Sequence, residues 1–320
     1  MHRSVIQTAA GLILLGLAAP AAAGNSDLEQ LFGAAVRAQA ESALAVLGFA
    51  TVPSETASGL ALDTGQNPNR TYDFVAGQFG GGFRWSDSIP IYLEGYLGYN
   101  RYDPVLIVTQ GAQTSQLPLK WTSVAATGGV GYEFDLSPYL VLRPLVHIAL
   151  GRVQSDVSVG TQAIANRLGL ESDALKNGGV TAGGLGGSLA LVFNRRWEND
   201  YEFDASLRYT DISLRPIAGN RDLVAEARAQ TATLWTRLRI PTGKEAFGRP
   251  VRTVAELSGS YLPGDQGEII RESWLAQVGA GGEIDLGETW VPWVTTTRLM
   301  LRYTWGEHLK GYSIGIAASF

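Results

Sequence analysis

The chain has 320 residues, of which 45% are hydrophobic and 17% charged, and its formal net charge is −5. It contains no cysteine, which excludes disulfide bonds and cysteine-based metal sites or nucleophiles. No block of basic residues is present, so the sequence predicts no nucleic-acid partner, and no motif indicates a cofactor.

The first 23 residues have the layout of a secretory signal peptide. His2 and Arg3 form a short positive segment, residues 9–19 are apolar, and Ala21–Ala23 supply the small residues of a cleavage site before Gly24. The apolar stretch is too short for a membrane-spanning helix, and an uncleaved anchor is the alternative. We therefore expect residues 1–23 to be a signal peptide and the mature chain to leave the cytoplasm.

Residues 24–50 are predicted to form a helix at the start of the mature chain. Ser26 and Glu29 have the spacing of a capping box, the next stretch is rich in Ala and Leu, and Gly48 suits a helix end. This helix has two candidate locations, the periplasm (free or on a membrane surface) and the lumen of a barrel. A twelve-stranded barrel has room for about one helix of roughly 10 Å diameter, which favours a plug in the lumen.

Residues 51–320 are predicted to form an all-β fold, a transmembrane antiparallel meander barrel of about twelve strands. Eleven segments alternate in character, and each reaches the length of about 9–11 residues that a tilted membrane-crossing strand needs. Bacterial barrels have even strand numbers, so the weakly alternating segment 51–63 is taken as a twelfth strand. The eleven segments are 72–85, 89–102, 119–134, 139–153, 181–194, 201–212, 231–240, 251–262, 271–284, 291–305 and 311–320.

The connections between these segments alternate in length. Long links at 103–118, 154–180 and 213–230 alternate with short ones, such as those joining residues 194 to 201 and 240 to 251. Bacterial barrels have short periplasmic turns and longer extracellular loops. If the chain ends at the periplasm, counting the strands backwards from the C-terminus places every short link on the periplasmic side and every long link outside. This alternation is consistent with a bacterial barrel.

The last ten residues alternate strictly between an apolar face and a face of small and polar residues. This pattern is typical of a strand with lipid on one side and a lumen on the other. The terminal aromatic resembles the C-terminal strand that outer-membrane barrels present to their assembly machinery. We therefore predict the outer membrane as the location, with its lipid and that machinery as partners, while the sequence indicates no oligomeric state. The predicted assembly signal consists of Tyr312, Ile314, Ile316, Ala318 and Phe320.

Charged residues within the strands are predicted to line the lumen, because an Arg that faces lipid costs about 2–4 kcal/mol at the midplane. They would form a structural network or plug contacts, or alternatively a constriction that determines selectivity. Five late-strand arginines (237, 239, 252, 298 and 302) are expected to form a positive wall, opposite Glu94, Glu133, Glu202 and Asp204 of earlier strands. The alternative is local pairing with Glu256 and Glu283, which would cancel this wall. The predicted lumen set is Glu94, Glu133, Arg143, His147, Glu202, Asp204, Arg208, Arg237, Arg239, Arg252, Glu256, Glu283, Arg298 and Arg302.

Few residues are suited to enzyme chemistry. Only His147 and His308 remain after the signal peptide, so a zinc site with several histidines is not expected. His308 follows Glu307 in a predicted outer loop, where a carboxylate–histidine pair would need further acids converging on the same rim. We expect no enzymatic activity and no catalytic or metal-binding residue; an extracellular-rim enzyme site near His308 is the alternative.

A signal peptide, a helix before a predicted twelve-stranded barrel and a terminal aromatic together resemble the translocator domain of autotransporters. With almost no passenger before the helix, and with the stretch IYLEGYLGYNRYDP at 91–104, the chain is similar to the solitary outer-membrane autotransporter barrel family. That resemblance covers most of the mature chain and implies a narrow or plugged pore, or a structural envelope protein. It transfers no catalytic residue.

Overall fold

The computed structural model describes ten stretches of the chain: 41–54, 59–65, 71–86, 88–103, 105–110, 113–118, 120–155, 179–218, 226–285 and 296–319. The predicted signal peptide, the predicted helix before residue 41 and the terminal Phe320 lie outside these residues. Of 105–110, 113–118, 155 and 317–319, only the backbone is described.

Two helices and fifteen strands make up the described residues. Helix α1 covers residues 41–51 and helix α2 covers Asp265–Ile270. The strands are β1 (Leu60–Asp63), β2 (Phe74–Arg84), β3 (Ile91–Tyr102), β4 (Val105–Gln110), β5 (Gln113–Pro118), β6 (Trp121–Tyr132), β7 (Phe134–Ser137), β8 (Leu140–Ser155), β9 (Gly179–Arg196), β10 (Glu202–Ala218), β11 (Ala227–Ala246), β12 (Arg249–Tyr261), β13 (Trp274–Asp285), β14 (Thr296–Gly306) and β15 (Lys310–Ser319).

Twelve of these strands close into an antiparallel barrel, which confirms the predicted fold class and strand number. Neighbours in sequence pair along the wall, β6 pairs with both β3 and β8, and β1 closes the ring by pairing with both β2 and β15. The other three strands are accessory: β4 and β5 form a separate hairpin, and β7 adds a short pairing with β8 beyond the end of β6.

Burial alternates along the barrel strands. In β6, Ser123 and Thr127 are almost fully buried, while Val124 and Val130 on the opposite face are 53% and 57% exposed. A closed sheet pairs its backbone polar groups internally, and this outer surface is apolar; both are conditions for spanning a bilayer with strands. Among the described residues, no helix has the length and apolar character needed to cross a membrane.

The two ends of the barrel differ. We call one end the turn rim, where β9 meets β10 through residues 197–201 and β11 meets β12 through Phe247 and Gly248. We call the other end the loop rim, where α2 and the β4–β5 hairpin lie. The turn between β11 and β12 is far shorter than the predicted 240–251 link, because Pro241 and Gly243 produce a register shift within the ladder instead of a turn.

The first strand and the helix end also differ from prediction. The segment 51–63 was expected to be a strand, but Thr51 ends α1 and only Leu60–Asp63 pairs with the sheet in the described residues. Gly48 was expected to follow the helix end, yet α1 continues past it, since the backbone N–H of Val52 donates to the Gly48 carbonyl at 3.1 Å. The close approach of the barrel wall, described below, favours a glycine there.

Candidate functional site

Helix α1 lies inside the lumen, in the half of the barrel near the loop rim. Leu44, Val46 and Leu47 are fully buried although they point in different directions around the helix. A helix that is apolar and buried on all sides must be enclosed by protein. It packs into a cluster of inward-facing strand residues, which includes Phe74, Tyr102, Trp121, Val153, Ile212 and Leu214.

Glycines in the wall allow the helix to approach closely. A Cβ atom added to Gly98 of β3 would lie 2.0 Å from the Ala50 carbonyl oxygen, and one added to Gly151 of β8 would lie 2.7 Å from Leu47 Cδ1. The helix contributes its own glycine, because a Cβ at Gly48 would lie 3.1 Å from the Cβ of Ala229 on β11. Small residues on both surfaces therefore create a seat that fits this segment of helix.

Wall residues also donate hydrogen bonds to carbonyl groups in and just after the C-terminal turns of the helix, where some carbonyls have no partner within the helix. Asn100 Nδ2 donates to the Val46 carbonyl at 2.8 Å. Thr127 Oγ1 donates to the Thr51 carbonyl at 2.7 Å. Gln78 Nε2 donates to the Val52 carbonyl at 2.9 Å, and its Oε1 accepts from the Ser54 amide at 2.7 Å.

Sequence reasoning missed Gln78, Asn100 and Thr127 as site residues. All three are buried polar residues on inward-facing strand positions, but they are uncharged, and only charged positions were taken as candidates. Their alternation with outward residues was visible in the sequence. What it could not show is that their partners are helix carbonyls.

Helix α2, in the connection between β12 and β13, folds inward over α1 at the loop rim. Gln266 is 2% exposed and donates to Thr231 Oγ1 at 3.1 Å. The hydroxyl of Tyr102 donates to the Ile269 carbonyl at 3.2 Å. Because Gln266 lies directly against α1 at Gly48, the described part of this loop covers the helix instead of extending away from the barrel.

A buried ion pair crosses the lumen on the other side of α1. Arg208 of β10 donates to Glu94 of β3 through two nitrogens, at 2.5 and 3.1 Å. Strands β6, β8 and β9 separate these two strands in the wall, so the bidentate pair spans the interior. A cavity of about 10 Å³ between Arg208, Trp235 and the chain at Val52 separates the pair from the end of the helix.

His147 joins the same network. Its Nε2 lies 2.8 Å from Ser188 Oγ, which lies 2.7 Å from Thr210 Oγ1, and its Nδ1 lies 3.5 Å from Glu94 Oε1. Arg208 Nη2 also lies 3.3 Å from Nε2. Since a guanidinium only donates, Nε2 fits best as an acceptor and Nδ1 carries the proton toward Glu94. The network links β3, β8, β9 and β10.

More ion pairs fill the lumen between this network and the turn rim. Each of the five late-strand arginines contacts a carboxylate, so the predicted positive wall opposite acidic strands is wrong. The antiparallel register explains this, because it places Asp204 opposite Arg237 and Glu283 opposite Arg298 on adjacent strands. The closest contacts are Arg237–Asp204 at 2.7 Å, Arg239–Glu202 at 2.7 Å, Arg252–Glu202 at 2.8 Å, Arg298–Glu283 at 3.1 Å and Arg302–Glu256 at 2.6 Å.

The remaining predicted lumen residues lie on inward positions as well. Glu133 is buried and pairs with Arg143 at 2.5 Å near the turn rim. Arg143 stacks over the ring of Tyr92 with its guanidinium carbon 3.5 Å from the ring centre. The structure therefore brings the predicted set together as cross-strand pairs. Arg252–Glu202 and Arg302–Glu256 each reach across one intervening strand, and the contact between Glu94 and Arg208 crosses the lumen.

His308 lies at the loop rim between β14 and β15, with its side chain 70% exposed. The buried carboxylate of Glu272 accepts from the backbone N–H groups of Glu307 and His308 at 2.6 and 2.7 Å. Potential ligand atoms of these three residues lie within 4.8 Å of one another, a spacing that could hold a metal ion. Both oxygens of Glu272 already order the turn, so its evident role is structural.

Comparison with known proteins gives fold likeness only. No protein-family model matches the chain, and no curated protein matches it. Solved structures similar to it include the β domain of the Bordetella autotransporter BrkA, with 18% identity, a TM-score of 0.43, and coverage of 77% of this chain and 90% of that one.

Two further structures have similar values. The translocator domain of autotransporter NalP from Neisseria meningitidis shows 12% identity and a TM-score of 0.39, covering 83% of this chain and 86% of that one. LpxR from Salmonella typhimurium shows 11% identity and a TM-score of 0.38, covering 82% and 100%. These scores assign no role, and the functional argument rests on the lumen itself.

Proposed function

We propose that this chain is an outer-membrane barrel of the autotransporter-translocator type whose lumen is closed by its own helix. The observation that carries the proposal is α1, buried on all sides in a seat of wall glycines and held by Gln78, Asn100 and Thr127. Residues 1–23 would be the removed signal peptide, and the C-terminal strand would contact the barrel-assembly machinery.

The outer surface supports a membrane location. On β15, Tyr312, Ile314 and Ile316 are 61%, 59% and 67% exposed, while Ser313 between them is 2% exposed. Exposed apolar rows of this kind are unfavourable in water and favourable in lipid. The short turns at one rim and longer connections at the other orient the barrel, with the turn rim in the periplasm and the loop rim outside.

The direction of α1 favours a translocator over an open porin. Val46 bonds to Asn100, two residues from the loop-rim end of β3, whereas Val52 bonds to Gln78 at the middle of β2. The helix therefore points its N-terminal end toward the loop rim. A translocator needs this direction if a segment that precedes the helix is to be displayed outside the cell.

Ion conductance in planar bilayers tests the proposal. The mature chain from Gly24 should conduct rarely. A variant that lacks residues 26–54 and carries Glu94→Ala and Arg208→Ala should open channels, because these changes remove the helix, its wall contacts and the ion pair that crosses the lumen. Heat-modifiable migration on gels should show that both barrels are folded. Identical traces from two folded barrels would reject the plug, and a chain that fractionates as a soluble periplasmic protein would reject the membrane assignment.

A further inference from the structure

One arginine on the outer face of the barrel has no ion-pair partner among the residues that the structure describes. Arg152 of β8 is exposed, and its outward neighbours across the ladder are Val124 of β6 and Thr181 of β9. In the described part of the chain, Arg152 forms no ion pair or hydrogen bond. Two other outward-facing arginines toward the loop rim differ, since Arg101 pairs with Asp103 at 2.7 Å and Arg228 pairs with Asp211.

The position of Arg152 along the membrane normal follows from the outward-facing residues of β8. Val146, Ile148 and Leu150 are 62%, 69% and 55% exposed, and this apolar row begins at Leu140. A strand tilted by about 40° and rising about 3.3 Å per residue gains roughly 2.5 Å of height per residue. The ten residue steps from Leu140 to Leu150 therefore span the apolar band of about 25 Å. Arg152 is the next outward residue, at the level of lipid headgroups.

A second arginine lies diagonally across β9 from Arg152. The register aligns Leu150 with Gly183 and Gly183 with Arg215 of β10, so the Cα atoms of the two arginines are separated by two strands and two residues. Strand spacing and rise place them about 12 Å apart. Between them, β9 presents only Thr181 and Gly183 outward. Arg215 pairs with Glu226, but its side chain remains 69% exposed.

We propose that Arg152, assisted by Arg215, binds the phosphate of a phosphorylated glycolipid in the outer leaflet. The guanidinium group matches phosphate geometry through parallel hydrogen bonds, and the apolar row below it accommodates acyl chains. An arginine without a carboxylate, placed where the lipid surface is anionic, gains an ion partner from the lipid. This inference rests on the proposed outer-membrane location.

The test uses purified full-length protein in detergent and native mass spectrometry with lipid A and its dephosphorylated form. Wild type should bind lipid A at least tenfold more tightly than the dephosphorylated lipid. Arg152→Gln should abolish most of that preference, and Arg152→Lys should retain part of it, because it keeps the charge but loses the paired donors. Lys244→Gln, which removes one exposed charge at the turn rim, is the matched control and should behave as wild type.

Equal binding of the two lipids by wild type, or an unchanged preference in Arg152→Gln, would overturn the proposal, as would an equal loss in Lys244→Gln. Membrane fractionation of the same variants separates this failure from that of the proposed function. A barrel that resides in the outer membrane but binds both lipids equally contradicts only the proposed lipid site. A barrel that is absent from that membrane contradicts both.

Discussion

Adding one methyl group to the helix seat should loosen the plug. In Gly98→Ala the new Cβ would lie 2.0 Å from the Ala50 carbonyl oxygen and 2.7 Å from its carbonyl carbon. These are backbone atoms, so no side-chain rotation can relieve the contact. Contacts of this type are essentially never shorter than 3.0 Å, so the helix must move by at least about 1 Å (3.0 − 2.0 Å).

The free-energy cost of this displacement follows from the hydrogen bonds at the same end of the helix. The bonds to the Val46, Thr51 and Val52 carbonyls are 2.7–2.9 Å long, and a shift of about 1 Å would take them beyond hydrogen-bond distance. At about 1 kcal/mol each, their loss totals about 3 kcal/mol. The equilibrium between seated and displaced helix should therefore change by about two orders of magnitude.

Cysteine labelling measures this equilibrium without background, because the chain has no cysteine of its own. Leu47→Cys places a thiol at a fully buried helix position, where it reacts with a maleimide only when the helix leaves its seat. Gly98→Ala should accelerate labelling about 100-fold. In Gly95→Ala, on the outer face of the same strand, no atom lies within 4 Å of the added Cβ, so the rate should not change.

The reasoning would be refuted if Gly98→Ala and Gly95→Ala were labelled at the same slow rate in folded barrels. Heat-modifiable migration of each variant on gels is the necessary check. If Gly98→Ala prevented folding altogether, the same comparison can be made with Gly151→Ala and with the thiol at the equally buried Leu44, because Leu47→Cys would remove the side chain that the new Cβ meets. There the added Cβ meets the end of the Leu47 side chain, 2.7 Å away, and a milder acceleration is expected.

Three other predictions concern the network, the lipid face and assembly. Glu94→Gln leaves the buried charge of Arg208 unpaired and should destabilise the barrel by about 3–5 kcal/mol in urea unfolding, whereas replacing both residues with apolar ones should restore much of the loss. Ile314→Arg, on the exposed face of β15, should cost about 2–4 kcal/mol if that face contacts lipid, and folding into bilayers with no loss of stability would contradict this. Deletion of Phe320 should reduce the folded barrel in the outer membrane while the purified variant still refolds in detergent; normal assembly in cells would remove its role as a signal.

The barrel was predictable because its evidence repeats along the chain. Any single alternating segment, such as 201–210 in β10, is compatible with a soluble sheet. Eleven such segments joined by links of alternating length fit a closed meander, and single-chain bacterial barrels have even strand numbers. The weakest segment marks the limit of this reasoning, since β1 contributes only four described residues and alternation over such a length is not informative.

The details that failed depend on contacts between distant residues. Gly48 satisfied the local pattern of a helix end, but it lies within the helix, where the close approach of Ala229 favours a residue without a Cβ. Pro241 and Gly243 satisfied the local pattern of a turn, but the ladder absorbs them as a register shift, and the chain reverses later, at Phe247 and Gly248. In both cases the residue type was interpreted correctly as a special backbone position, and its structural role was decided by tertiary packing.

Charge pairing in the lumen failed for a different reason. The prediction separated early from late strands by chain order, and Glu202 and Asp204 were placed with the early ones. In a meander, however, each strand neighbours the next, so β10 supplies the carboxylates that the β11 arginines contact. Alternation identifies which residues point inward, whereas the partner of each one depends on register, and register is a tertiary property.

The lumen is closed by two arrangements that differ in chemistry. The half near the loop rim is closed by apolar packing of α1, which depends on shape, whereas the other half is filled by ion pairs such as Arg302–Glu256 between wall strands. The glycine seat fits one particular segment, with Ala50 against Gly98 and Leu47 against Gly151. A pore that only passed solutes or unfolded chains would gain nothing from such a fit. The fitted seat therefore argues that the helix-filled state is the stable form of this barrel, and that opening it requires an input of free energy.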